Sequence, residues 1–189
     1  MVKNIAVFVS GGGSNFENLA LKSAESVFEI KVLITDTPDA YAIKRAEKLK
    51  IPHIVIDRSK YRTKKEFETA VTEAVSNFNI DYIVLAGFMR ILSSEFINAY
   101  KDRIINIHPS LLPSFKGRNG IEDAYNYGVK VTGVTVHFVD AGIDTGKIIA
   151  QTAVLIEEDD TLLSLEEKIH QAEYELYPAA LKKVLDGRV

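Results

Sequence analysis

The stretch Ile5-Ala-Val-Phe-Val-Ser-Gly-Gly-Gly-Ser-Asn15 decides the fold. Five consecutive apolar residues, Ile5 to Val9, suit a strand covered on both faces, and the glycines then turn the chain abruptly. Ser14-x-x-Glu17 follows with a hydroxyl and a carboxylate at the spacing of a helix capping box. Short β-branched runs recur at Val32 to Ile34, Ile54 to Ile56 and Ile83 to Leu85, each followed by turn residues and a helical pattern. Such strand-helix alternation predicts an α/β protein with a mostly parallel, twisted sheet and helices on both faces, its ligands gathering at the carboxyl ends of the strands. The second half breaks the alternation. Gly133 to Phe138 and Ile148 to Val154 read as strands with no helix between them, which predicts an antiparallel carboxyl-terminal part. Thr63-x-x-Glu66 and Ser164-x-x-Glu167 mark two further helix starts. The last helix is expected from about Ser164 to Leu185, with Ile169, Leu176, Leu181 and Leu185 facing the core and Gly187 as its stop.

Composition narrows the function. The 189 residues are 47% hydrophobic and 26% charged, the balance of one globular domain with a core of its own. A net charge of -3, from 26 acidic and 23 basic residues spread along the chain, offers no basic field for a nucleic-acid backbone. With no cysteine, disulfides, thiolate metal sites and cysteine nucleophiles are excluded, and the four histidines form no zinc spacing, so no metal is expected. Met1-Val2-Lys3-Asn4 enters a strand without a secretory signal, and no apolar run approaches the roughly 18 residues that span a bilayer. A cytoplasmic protein without a membrane partner is the expectation.

Two places carry candidate chemistry. At Gly11-Gly12-Gly13-Ser14-Asn15 a strand runs into a helix start, so backbone N–H groups and the positive helix end can hold an anion, with phosphate the expected guest. The spacing matches neither the dinucleotide fingerprint nor the nucleoside-triphosphate loop, and a tight turn without a ligand remains the alternative. The other place is Ile104-Ile105-Asn106-Ile107-His108, where strand alternation puts Asn106 and His108 on one face at the strand's carboxyl end. Pro109 ends that strand and opens a long loop to Gly120. A histidine trades protons near neutral pH, and an adjacent carboxamide can donate to a developing oxyanion. The turn-rich loop Asp140-Ala141-Gly142-Ile143-Asp144-Thr145-Gly146 offers carboxylate partners. If Asp144 reaches His108, it favours the imidazolium form; the alternative for each of these polar residues is turn formation. His53, His137 and His170 read as structural or solvated.

Taken together, Ser10-Gly-Gly-Gly-Ser-Asn15, Leu85-Ala-Gly-Phe-Met-Arg-Ile-Leu92, Asn106-Ile-His-Pro-Ser-Leu-Leu-Pro113 and Gly133-Val-Thr-Val-His-Phe-Val-Asp140 closely resemble the folate-dependent phosphoribosylglycinamide formyltransferases over essentially the whole chain. Asn106 to Pro113 is similar to the wider formyltransferase group, whereas the glycine start and Tyr177-Pro178 resemble the glycinamide ribonucleotide enzymes in particular. The resemblance implies a single Rossmann-like formyltransferase domain, residues 1–189, with a ribonucleotide-phosphate portion over about 1–100 and a catalytic, folate-cleft portion over about 101–189. It implies 10-formyltetrahydrofolate as co-substrate and 5′-phosphoribosylglycinamide as formyl acceptor, with a homodimer open beside the monomer. Asn106, His108 and Asp144 are then the catalytic set. Gly11, Gly12, Gly13, Ser14, Asn15 and Glu173 would contact the ribonucleotide. Lys64, Met89, Arg90, Ile91 and Leu92, with Asn106 and the loop residues Asp140, Ala141, Gly142, Ile143 and Asp144, would surround the folate. After Pro113 the chain departs from the family pattern: Lys116-Gly117-Arg118-Asn119 stands where a loop histidine is common. The rival readings are another folate formyl-group enzyme, whose extra RNA-binding or regulatory domain this length does not accommodate, and a non-catalytic phosphate-binding module.

Overall fold

A computed structural model describes residues 2–23 and 27–189. Its strands follow the order β3-β2-β1-β4-β5-β6-β7, and the chain divides into two compact units, residues 1–105 and 106–189. The expected α/β architecture holds: parallel strands in the first unit and an antiparallel pair in the second.

In the first unit, β1 (Lys3–Val9) pairs in parallel with β2 (Phe28–Thr35) on one side and β4 (Tyr82–Leu85) on the other, while β3 (His53–Val55) pairs with β2. The helices α1 (Ser14–Ser23), α2 (Ala42–Leu49), α3 (Lys64–Ser76) and α4 (Ser94–Ala99) link or follow these strands. Ile5 through Val9 are buried, as a strand covered on both faces requires, and Phe8 meets Phe88 edge-on at 5.4 Å between ring centroids. Three strand ends share one edge: β1 passes into Ser10, β2 into Asp36 and β4 into Ala86. The amide of Ser10 donates to the Gly87 carbonyl at 3.0 Å and the amide of Met89 to the Ser10 hydroxyl at 2.8 Å, which ties the segment after β4 to the glycine turn after β1.

In the second unit, β6 (Val131–Phe138) and β7 (Ile148–Leu155) pair antiparallel, with Thr135 opposite Gln151. Both α5 (Gly120–Tyr127) and α6 (Leu162–Leu185) belong to this unit, and α6 packs on both strands of the pair. The boundary between the units falls inside β5 (Ile104–His108).

Two of the three capping expectations need correction. Thr63 and Glu66 form the capping box expected of them. At the last helix the box is Thr161 with Ser164, so Ser164 supplies the third helical position and not the cap. Asp160 secures that register by accepting from the Ser164 hydroxyl at 2.8 Å and from Lys168 at 2.5 Å. Lys168 foremost, with the Glu157 amide and the Ser164 hydroxyl, holds the Asp160 carboxyl at about 2. Ser14 is likewise the first residue of α1, and the Glu17 carboxylate, expected to cap backwards, instead pairs with Arg45. Along α6 the buried positions include Leu165, Ile169, Tyr177, Leu181 and Val184, whereas Leu176 and Leu185 are half-buried. Gly187, with φ +70°, follows the helix as its stop.

Candidate functional site

β5 delivers Asn106 and His108, and β6 delivers His137. Each of the three reaches a neighbour from another element. The amide nitrogen Nδ2 of Asn106 lies 3.2 Å from His137 Nε2, and the second ring nitrogen of His137, Nδ1, lies 2.8 Å from the Phe138 carbonyl. A carbonyl only accepts and an amide N–H only donates, so the ring fits both partners as the neutral tautomer with its proton on Nδ1. Burial is the main cause holding the His137 imidazole below its ordinary value of 6.5, against the opposing pull of the Phe138 carbonyl and the Asp144 carboxylate.

His108 has the opposite surroundings. Its Nε2 meets the Phe115 carbonyl at 2.8 Å, so that nitrogen carries a proton, and its Nδ1 faces Asp144 Oδ2 at 3.6 Å. The Asp144 carboxylate stands between the two rings, with Oδ1 3.7 Å from His137 Nε2, and its Oδ2 accepts from the Gly117 amide at 2.8 Å. The Asp140–Gly146 loop therefore separates two roles that its spacing left open. Asp140 spends its carboxylate on the turn, accepting from the Gly142 amide at 3.0 Å and the Thr145 hydroxyl at 2.6 Å, while Asp144, at φ +50°, turns toward the histidines.

The loop that starts at Pro109 is fastened from below. Thr135 Oγ1 donates to the Ser110 carbonyl at 2.7 Å and accepts from the Leu112 amide at 3.1 Å, and Gln151 Nε2 donates to the Leu112 carbonyl at 3.0 Å. Gly120 closes the loop against His108: a Cβ there would lie 3.2 Å from His108 Nε2 and 3.1 Å from the Phe115 carbonyl oxygen. Sequence reasoning did not single out His137, Thr135 and Gln151 for the site. The available signal was Thr135 and His137 alternating with Val134 and Val136, two polar side chains on one face of a buried strand.

The first unit holds most of the other candidates. Gly11 and Gly12 are exposed, with open space where a side chain would point. Gly13, at φ +73°, packs so closely that a Cβ would lie 2.6 Å from that of Ala42. Arg45 Nε donates to the Gly12 carbonyl at 2.9 Å. Asn15 is buried on α1, and Glu173, in the second unit, is buried midway along α6. Met89 and Ile91 are exposed apolar residues, Arg90 is half-exposed and Leu92 is buried; Lys64 opens α3 with its ammonium 4.0 Å from Glu68. Ala141, Gly142 and Ile143 are exposed in the loop of the second unit.

Residues 3–181 match the family model described as formyl transferase. This chain belongs to the formyl transferase family. It is 44% identical to the phosphoribosylglycinamide formyltransferase of Bacillus subtilis (strain 168), over 97% of this chain and 95% of that protein. A crystal structure of phosphoribosylglycinamide formyltransferase from Bacillus halodurans is 46% identical, with a TM-score of 0.93 over 97% of this chain and 95% of the other. The human trifunctional purine biosynthetic protein adenosine-3 is 42% identical over 98% of this chain, which spans 18% of that protein's length. As a formyl transferase the chain implies a formyl-folate co-substrate. Among the described residues, no helix is long and apolar enough to cross a membrane.

Two predictions concern this formyl transferase's local geometry. Gly13→Ala is expected to lower unfolding free energy by roughly 1–3 kcal/mol, through its left-handed backbone and the collision with Ala42, and denaturant titration reads the loss. A Cβ at Gly12 meets no neighbour, so Gly12→Val is expected to leave stability unchanged; if the turn holds a phosphate, the variant loses affinity for it, and unchanged affinity would count against a phosphate site here. For His137 the folded state favours the neutral ring, so the unfolded chain takes up the proton first as pH falls below about 6.5 and stability drops there. Melting curves between pH 7 and 5.5 should therefore fall more steeply for the natural chain than for His137→Gln. Parallel curves would contradict the assignment.

Proposed function

We propose that this formyl transferase moves the formyl group of 10-formyltetrahydrofolate onto the primary amine of 5′-phosphoribosylglycinamide, a step of purine synthesis, in the cytoplasm. The observation that carries the proposal is the run of contacts from Asn106 through His137 and Asp144 to His108, in a chain whose 44%-identical relative bears that activity in its name. The amine attacks the formyl carbon directly, forming a C–N bond and a tetrahedral intermediate. One N–H of Asn106 is engaged by His137; the second is available to the oxyanion, together with the protonated His108 ring. As the intermediate collapses, the bond from carbon to the folate nitrogen breaks, His108 helps deliver a proton to that nitrogen, and the proton that the attacking amine loses restores the one His108 gave. No acyl-enzyme forms and no metal takes part. Asp144 orients the His108 imidazole.

The glycine turn from Gly11 to Asn15 holds the ribonucleotide phosphate side and Glu173 its ribose hydroxyls. Lys64, Met89 to Leu92 and the loop from Asp140 to Asp144 receive the folate. General acid-base help contributes about 10²- to 10⁴-fold and one oxyanion donor about 10²- to 10³-fold in rate, with substrate positioning supplying much of the rest.

The test mixes the protein with both substrates and follows folate absorbance together with product mass. Formylated ribonucleotide that forms only when both substrates are present supports the proposal. Formate released without the ribonucleotide would reveal a hydrolase, and unchanged absorbance would reveal a binding module; either overturns it.

A further inference from the structure

Two buried carboxylates of the first unit have no part in the chemistry above. The Asp36 side chain, directly after β2, is 1% exposed and that of Glu68, on α3, is 8% exposed. Removing a carboxylate from water is costly unless partners replace the water, and both find those partners on one short segment. Asp36 Oδ2 accepts from Arg90 Nε at 2.5 Å. Glu68 Oε1 accepts from the Ser93 amide at 2.7 Å and Oε2 from the Ser93 hydroxyl. That hydroxyl in turn accepts from the Phe96 amide at 3.1 Å and so caps α4. The two anchored residues flank Ile91 and Leu92, and Met89 is held by the Ser10 hydroxyl. With no regular secondary structure of its own, the segment depends on these side-chain bonds for its shape, while Met89 and Ile91 remain exposed at 50% and 66%. Glu68 also faces Lys64, so one carboxylate links both parts of the first unit to which the folate is assigned.

We infer that Asp36 and Glu68 are positioning residues for the formylfolate, bracing Met89 to Leu92 from its two sides through Arg90 and Ser93. The inference rests on the assignment of that segment to the folate. Because Arg90 Nε answers a buried carboxylate, its guanidinium serves as a strut for the segment.

The experiment measures KM for formylfolate, KM for the ribonucleotide and kcat in Asp36→Asn, Glu68→Gln and Ile91→Lys, with Arg90→Met and Ser93→Ala as milder cuts of the same two bonds. The expected result is a KM for formylfolate raised roughly 5- to 50-fold in each, with ribonucleotide KM and saturated kcat held. If Ile91→Lys raises the folate KM while the carboxylate and strut variants do not, the bracing inference fails and the folate assignment stands. If none raises it, the assignment of the segment fails and takes the inference with it. A uniform loss across all three constants also overturns bracing, since it would mark a purely structural role. Should either carboxylate variant fail to fold, Arg90→Met and Ser93→Ala decide by the same readings.

Discussion

Replacing His108 by Asn is expected to lower kcat by about 10²- to 10⁴-fold while leaving ribonucleotide affinity near its original value. The substitution keeps a polar side chain that fills the near half of the space of this 5%-exposed ring. What it removes is the group that can carry a proton. An asparagine falls short of the Phe115 carbonyl that His108 Nε2 meets, and it cannot deliver a proton to a leaving nitrogen. The ribonucleotide is assigned to the glycine turn and Glu173, so its binding should survive. A variant with unchanged kcat would overturn the catalytic role of His108.

Replacing Asp144 by Asn should cost on the order of 10²- to 10⁴-fold in kcat, by analogy with the carboxylate that orients a catalytic histidine in hydrolytic triads. The reason is electrostatic. Asp144 Oδ2 both accepts from the Gly117 amide and faces His108, and Oδ1 faces His137. An Asn can keep its oxygen toward the Gly117 amide and His108 while its NH2 group faces the acceptor nitrogen of His137, so what it removes is the carboxylate charge beside the His108 ring. Steady-state kinetics at saturating substrates checks this. A loss confined to KM would show that Asp144 binds substrate without orienting His108.

Much of this architecture was legible because burial leaves a linear mark. The apolar run from Ile5 to Val9 is what a strand covered on both faces requires, and the helix-free passage from Phe138 to Ile148 is what an antiparallel pair requires. The one-face placement of Asn106 and His108 was also legible, as strand alternation dictates. The rest was set by partners distant in the chain. Thr161 and Ser164 both fit a cap by local chemistry, and the register is secured by Asp160 with Lys168. Glu17 stood at capping spacing, yet Arg45 claims its carboxylate. Asp140 and Asp144 look alike in a turn-rich loop; only the left-handed backbone at Asp144 aims one of them at the histidines. No periodicity announces that Asp36 answers Arg90, 54 residues away, or that Glu68 answers Ser93, 25 residues away. His137 was visible in the alternation of β6, but one strand gives no sign that its neighbour is Asn106.

If His108 and Asp144 act as one unit on the transferred carbon, a double-mutant cycle on formyl transfer shows it. With His108→Asn, Asp144→Asn and the double variant compared in kcat, the double should be scarcely slower than His108→Asn alone, because the carboxylate has no imidazole left to orient. Losses that multiply in full would show two independent contributions and contradict the account.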